Sequence, residues 1–222
     1  WRHAASANKI LSILRDAMVA GIGDKSDKHQ QLRHRSRALF SYIVNAANTQ
    51  LAKYFTASNL TERESEEVRE CARLIDTAGM QMFFATGTES NRLLEDPSNS
   101  RRGLNVFLKE NADLLRRIGY YAQPHTTYYL LQLVERLIDV DAGASFDLAV
   151  SILQSSTRSG YQNDTLGVDL MVKLVGIFLA DHKGIFENLT RRSALIDCLE
   201  IFMNAGWPAA RRLLYRLPEF IQ

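Results

Sequence analysis

Apolar side chains recur every three or four residues along almost the whole chain, and no run alternates apolar with polar residues for long. The first spacing belongs to one face of an α-helix, the second to a half-buried strand. Asn-Gly and Asp-Gly, the pairs that most favour a two-residue hairpin turn, are both absent. These features restrict the chain to an all-α fold. With 222 residues, 46% of them hydrophobic, it can bury a sizeable core without a disulfide or metal staple.

The pattern predicts long helices first. From about Asn8 to Ala20, Ile10, Leu14 and Ala17 repeat on one face with Ile13 alongside; from about Lys28 to Phe55, Leu32, Leu39, Ile43, Leu51 and Tyr54 form the stripe. From Thr61 to Thr86, Val68, Ala72, Ile75, Ala78 and Met82 do the same, with four glutamates in the opening turns suited to the positive end of a helix dipole. The stretch from Gly87 to Gly103, with Asp96-Pro97-Ser98-Asn99-Ser100 inside it, is the strongest break. It is expected to be a linker or loop between a long-helix bundle (1–90) and a second unit (104–222).

In that second unit shorter helices are expected. One runs from Leu104 to Ile118; another begins at Pro124, whose missing N–H is harmless at a first helical position. A third spans Phe146 to Leu153, and a single helix, apolar around most of its girth, spans Leu166 to Phe186. Thr190 is expected to cap the next, with Leu195, Cys198, Leu199 and Phe202 inward and Ser193, Asp197, Glu200 and Asn204 outward. Gly206 then ends that helix in the left-handed conformation and Pro208 starts the last.

The segment ALIDCLEIFMNAGWPAARRLL at 194–214, helix, short turn, helix, resembles the helix pairs of HEAT- and armadillo-type repeat proteins. The resemblance is one of pattern, without a clean period, and covers the second half of the chain. It implies an all-α architecture of a helical bundle followed by solenoid-like antiparallel hairpins. It also implies a surface that binds another macromolecule.

Motifs for chemistry are missing. Gly21-Ile22-Gly23-Asp24-Lys25-Ser26 has glycines, a lysine and a serine, but not the spacing or preceding strand of a phosphate loop, and is expected to be a helix-ending turn. His29 and His34 are five apart, about 140° around a helix, and no Cys-x-x-Cys, His-Glu-x-x-His or Gly-x-Ser-x-Gly occurs. No catalytic, cofactor-binding or metal-ligating residue is expected, and no cofactor. Three Asn-x-Thr sequons, at Asn59, Asn163 and Asn188, are read as helix caps rather than glycosylation sites, since each threonine falls where a helix should start. Thr61 has Glu64 at the capping-box distance.

Two cysteines, Cys71 and Cys198, sit in helical runs among apolar neighbours and suit a reducing, cytoplasmic compartment as free thiols. No apolar run approaches the ~20 residues of a membrane span. Because Trp1 opens directly on a helical pattern, the chain is expected to be part of a larger protein.

Net charge is only +2, but it is unevenly spread. Residues 1–60 hold nine Lys/Arg against three Asp/Glu, and residues 61–100 hold four against nine. The basic first region is expected to pair with the acidic helix after it. The sharper alternative is phosphate binding: Arg33 and Arg37 share one helix face, and Arg212, Tyr215 and Arg216 another, a mixture of arginine and aromatic residues that suits single-stranded nucleic acid. The function expected first is a non-catalytic helical interaction or scaffold domain. Its partner would be another protein or another domain of the same chain, with nucleic-acid binding as the alternative.

Overall fold

The computed structural model describes residues 4–22, 26–55, 59–86, 97–158, 165–204, 206, 208 and 211–215. The helices are α1 (Ala4–Val19), α2 (Asp27–Phe55), α3 (Glu62–Ala85), α4 (Pro97–Gly119), α5 (Pro124–Leu137), α6 (Ala142–Arg158), α7 (Thr165–Asp181) and α8 (Leu189–Asn204). A 3-10 helix, Lys183–Glu187, lies between the last two. Residues 211–215 are again helical, and no strand occurs among the described residues. The protein is all-α.

Packing follows chain order closely. All substantial helix–helix packing joins a helix to its neighbour or to the next but one. Two rows result: α1, α3, α5 and α7 stack in one, and α2, α4, α6 and α8 in the other. One hydrophobic core runs between them, from Leu11 to Phe202. It crosses the expected boundary at 87–103, because α3 packs on α5 and α2 on α4. Helix α4 starts at Pro97, inside the stretch read as a linker; residues 87–96 lie outside the described part.

At the centre is α5, in contact with α3, α4, α6 and α7. Its Leu130, Leu131, Leu133, Val134, Leu137 and Ile138 are all buried. Pro124 sits in its first turn as expected. Thr126, buried, donates from Oγ1 to Asp76 Oδ1 of α3 at 2.9 Å and ties the two central helices together. Five phenylalanines, Phe40, Phe107, Phe146, Phe178 and Phe202, are fully buried; burying such a side chain contributes about 1.5–3 kcal/mol relative to leaving it exposed.

Local signals worked where they were self-contained. Thr61 accepts from the Glu64 backbone N–H, and the Thr61 N–H donates to the Glu64 carboxylate at 2.9 Å, so the capping box is formed. Gly206 adopts φ +82°, the left-handed turn expected after α8. Trp207 and Leu217, placed in the hairpin by the sequence, lie outside the described residues.

Four expectations are corrected. On α1 the buried residues are Leu11, Leu14, Met18 and Val19, while Ile10 and Ile13 are exposed. On α2 the buried line is Arg33, Ser36, Phe40, Val44, Ala47 and Leu51, and Leu32 and Leu39 are exposed. Both helices are turned by about one residue from the sequence reading, because each carries apolar side chains over more than one face. The run 166–186 is not one helix: α7 ends at Asp181, and the chain tightens through His182 into the 3-10 helix. That break returns Phe186 to the core, where it stands edge-on to Phe146 with centroids 5.1 Å apart. Finally, α8 is capped by Asn188, whose Oδ1 accepts from the N–H groups of Thr190 and Arg191 at 3.0 and 3.2 Å. Thr190 lies inside the helix.

Candidate functional site: the seam between α2 and α4

Arg33 and Arg37, the first pair marked by the sequence, lie along the seam where α2 meets α4. Arg33 is only 3% exposed. Its Nη1 donates to the carbonyls of Ala20 and Gly21, at 3.2 and 3.0 Å. These oxygens lie just past the end of α1, where carbonyls lack partners within the helix and the dipole favours a cation. Gly21 takes φ +57°, the conformation that ends α1. A Cβ there would collide with the His29 ring. The glycine turn and the buried guanidinium therefore form one device that closes the α1–α2 connection.

Glu110 of α4 is the carboxylate of the seam. Its Oε2 accepts from Arg37 Nη1 at 3.0 Å and from Arg33 Nε at 3.4 Å. Farther along, Asn48 Nδ2 donates to the Arg117 carbonyl at 2.8 Å and Arg117 Nη1 to Asn45 Oδ1 at 3.3 Å. The basic first region thus finds a carboxylate on α4. Toward α3, Arg15 bonds Gln81 and Tyr54 bonds Glu67. Sequence reading does not mark Glu110; in Leu108-Lys109-Glu110-Asn111 it resembles any solvated helix carboxylate.

Above this ion cluster lies an open cleft of about 360 Å³, lined by Gln30, Gln31, His34, Arg35, Arg37 and Glu110. Arg37 Nη2 lies 3.4 Å from His34 Nδ1. Arg35 is exposed. One carboxylate faces two guanidiniums here, so the cleft is basic and can attract an anion. Arg33 takes no part in such attraction, because its donors are spent inside the fold. No group of three or more His, Cys, Asp or Glu that could hold a metal ion occurs among the described residues.

The second marked set is elsewhere. Arg212 is exposed and Tyr215 is 84% exposed, both in the helical turn 211–215. Arg216 lies outside the described residues. Leu213 and Leu214 of that turn pack against the hydrophobic core. Helix α2 packs on α1, α3 and α4.

The cysteines are chemically quiet. Burial pushes the Cys198 thiol up to about 12, and burial with the nearby Glu67 charge raises Cys71. Both stay protonated and hence poorly nucleophilic. Elsewhere arginines again close the ends of elements. Arg136 of α5 lies 3.9 Å over the Phe83 ring and donates to the Phe83 carbonyl at the end of α3. Arg191 holds Asp147 of α6 through two bonds of 2.9 Å, which raise its own pKa.

Compared with known protein families, curated proteins and solved structures, the chain matches none of them. No helix among the described residues is long and apolar enough to cross a membrane.

Proposed function

We propose that this chain is a non-catalytic α-helical interaction or scaffold domain, built as a HEAT-like stack and acting as a regulatory or sensor module inside the cell. The observation that carries the reading is the packing order: among the described residues, all substantial helix–helix packing joins a helix to its neighbour or the next but one. An array of this kind is quasi-one-dimensional and presents extended surfaces rather than one enclosed pocket. The arginines with the strongest claim to chemistry, Arg33, Arg136 and Arg191, each hold two elements together. Two protonated, buried thiols suit a reducing compartment. The test is affinity capture with the 222-residue chain immobilised. A protein retained in near-stoichiometric amount and displaced by free chain supports the reading; retention of none overturns it.

A second reading, nucleic-acid binding, is favoured by exposed Arg35, Arg212 and Tyr215 and by the basic cleft around Arg37. It requires affinity for a single-stranded oligonucleotide that falls steeply with salt and drops on R35E or R212E. Salt-independent or absent binding removes it.

A further inference from the structure

On α1 and α2 the side turned away from the rest of the stack carries exposed large apolar side chains. At about 100° per residue, Ile10 and Ile13 lie roughly half a turn from Arg15, whose Nη1 donates to Gln81 of α3 at 2.8 Å. By the same count, Leu32, Leu39 and Tyr42 lie roughly half a turn from Arg37 and Asn48, which bond to α4. The contacts of Arg33 with Ala20 and Gly21 bring the start of α2 beside the end of α1, and the two helices pack on each other. Their exposures are 46% and 64% for the isoleucines, 43% and 48% for the leucines and 70% for Tyr42. Taking roughly 200 Å² for a free large apolar side chain, these five leave on the order of 500 Å² in water, at the upper end for a monomer's largest patch.

Three observations select an occupant. This is the outer stacking side of the first helix of each row, and on the inner side the same two helices are covered by α3 and α4; a helix laid on the outside continues each row. The area is below the ~800 Å² per partner of a standard stable complex, which suits one helix rather than a permanent dimer. Lys28 and Arg35, both exposed, stand within the apolar stripe of α2, whose sole acidic residue is Asp27. On α1 the sole acid, Asp16, is held by Arg15 at 2.7 Å. A two-fold pairing with a second copy would bring these cations toward each other, whereas carboxylates would meet them favourably.

We propose that the outer face of α1 and α2 docks a single amphipathic helix of a protein partner, with an apolar stripe flanked by Asp or Glu. This rests on the interaction-domain reading and names its surface. The test uses the whole 222-residue chain and two fluorescein-labelled helical peptides of about 18 residues, both with leucines at helical spacing, flanked by Glu in one and by Lys in the other. Fluorescence anisotropy at low salt should show the Glu peptide binding at micromolar concentration, at least about tenfold tighter than the Lys peptide. I13D/L39D should weaken it by about tenfold or more with the far-UV circular dichroism melt unchanged. Y42S should weaken it less, and R35E should abolish the preference for Glu.

Absence of binding, equal binding of both peptides, or binding indifferent to I13D/L39D and Y42S overturns the proposal. So does a dimer in sedimentation velocity that I13D/L39D dissolves, which would make a second copy the occupant. Capture on phosphatidylcholine vesicles through the same residues would make it a membrane. If a protein captured by affinity is retained undiminished by I13D/L39D, this face is wrong while the interaction reading stands.

Discussion

Replacing Arg33 tests whether the seam is structural. The guanidinium makes two hydrogen bonds to backbone carbonyls, at 3.0 and 3.2 Å, and one longer contact with Glu110 at 3.4 Å. Hydrogen bonds to a charged group contribute about 1.5–3 kcal/mol each, and a buried partner left unpaired costs about 1–3 kcal/mol. A cation at a helix C-terminus adds about 0.3–1 kcal/mol. The terms overlap, so R33M, which keeps most of the aliphatic stem, should destabilise by about 3 kcal/mol. R33A should lose somewhat more through the missing stem. E110A should cost about 1 kcal/mol, because that carboxylate is 26% exposed and Arg33 keeps its carbonyl partners. For a chain of this length about 3 kcal/mol lowers Tm by roughly 6–12 °C. Differential scanning calorimetry with urea titration reads the ranking. The reasoning is refuted if R33M lies within about 1 kcal/mol of the parent, or if E110A is the more damaging change.

Three further outcomes are expected. N188A removes the side-chain acceptor at the start of α8 and should cost about 1 kcal/mol; T190A should be nearly neutral, and a reversed order in urea midpoints would restore threonine as the cap. Neither Cys71 nor Cys198 should react with Ellman's reagent in the native state at about pH 8, since both thiols are buried and raised; both should react on unfolding, and prompt native labelling would contradict their burial. The Glu64 carboxyl is held below its ordinary 4.5 by the Thr61 hydroxyl and then the Thr61 backbone N–H. Its contribution is complete at neutral pH and is lost as pH falls through that lowered value. T61A, which removes the larger cause, should flatten this acid limb of the stability curve, and an unchanged limb in pH-dependent urea midpoints would count against the capping box.

Much of this protein could be read without coordinates, and the readable part shares one property: it is local. Helical periodicity, the Thr61–Glu64 box, Pro124 opening α5 and Gly206 closing α8 depend on residues within four positions of each other. The inward side of α8 was legible as well, because Leu195, Cys198, Leu199 and Phe202 leave no rival stripe as continuous. On α1 and α2 two apolar stripes compete, and the sequence reading placed Ile10, Ile13, Leu32 and Leu39 inside. The structure puts them outside. Periodicity gives the pitch of a helix and leaves its rotation open whenever apolar residues cover more than a third of the circumference.

The amino-acid sequence alone determined that the chain would be helical and where several helices would begin and end, since backbone hydrogen bonding and side-chain caps act within a turn. Only the tertiary structure decided which face of α1 and α2 entered the core. The covering helices α3 and α4 arrive from later in the chain and bury whichever stripe meets them. For the same reason only it assigned Arg33 to holding the fold: its carbonyl partners lie 13 and 12 residues back and its carboxylate 77 residues on, beyond the reach of any local pattern.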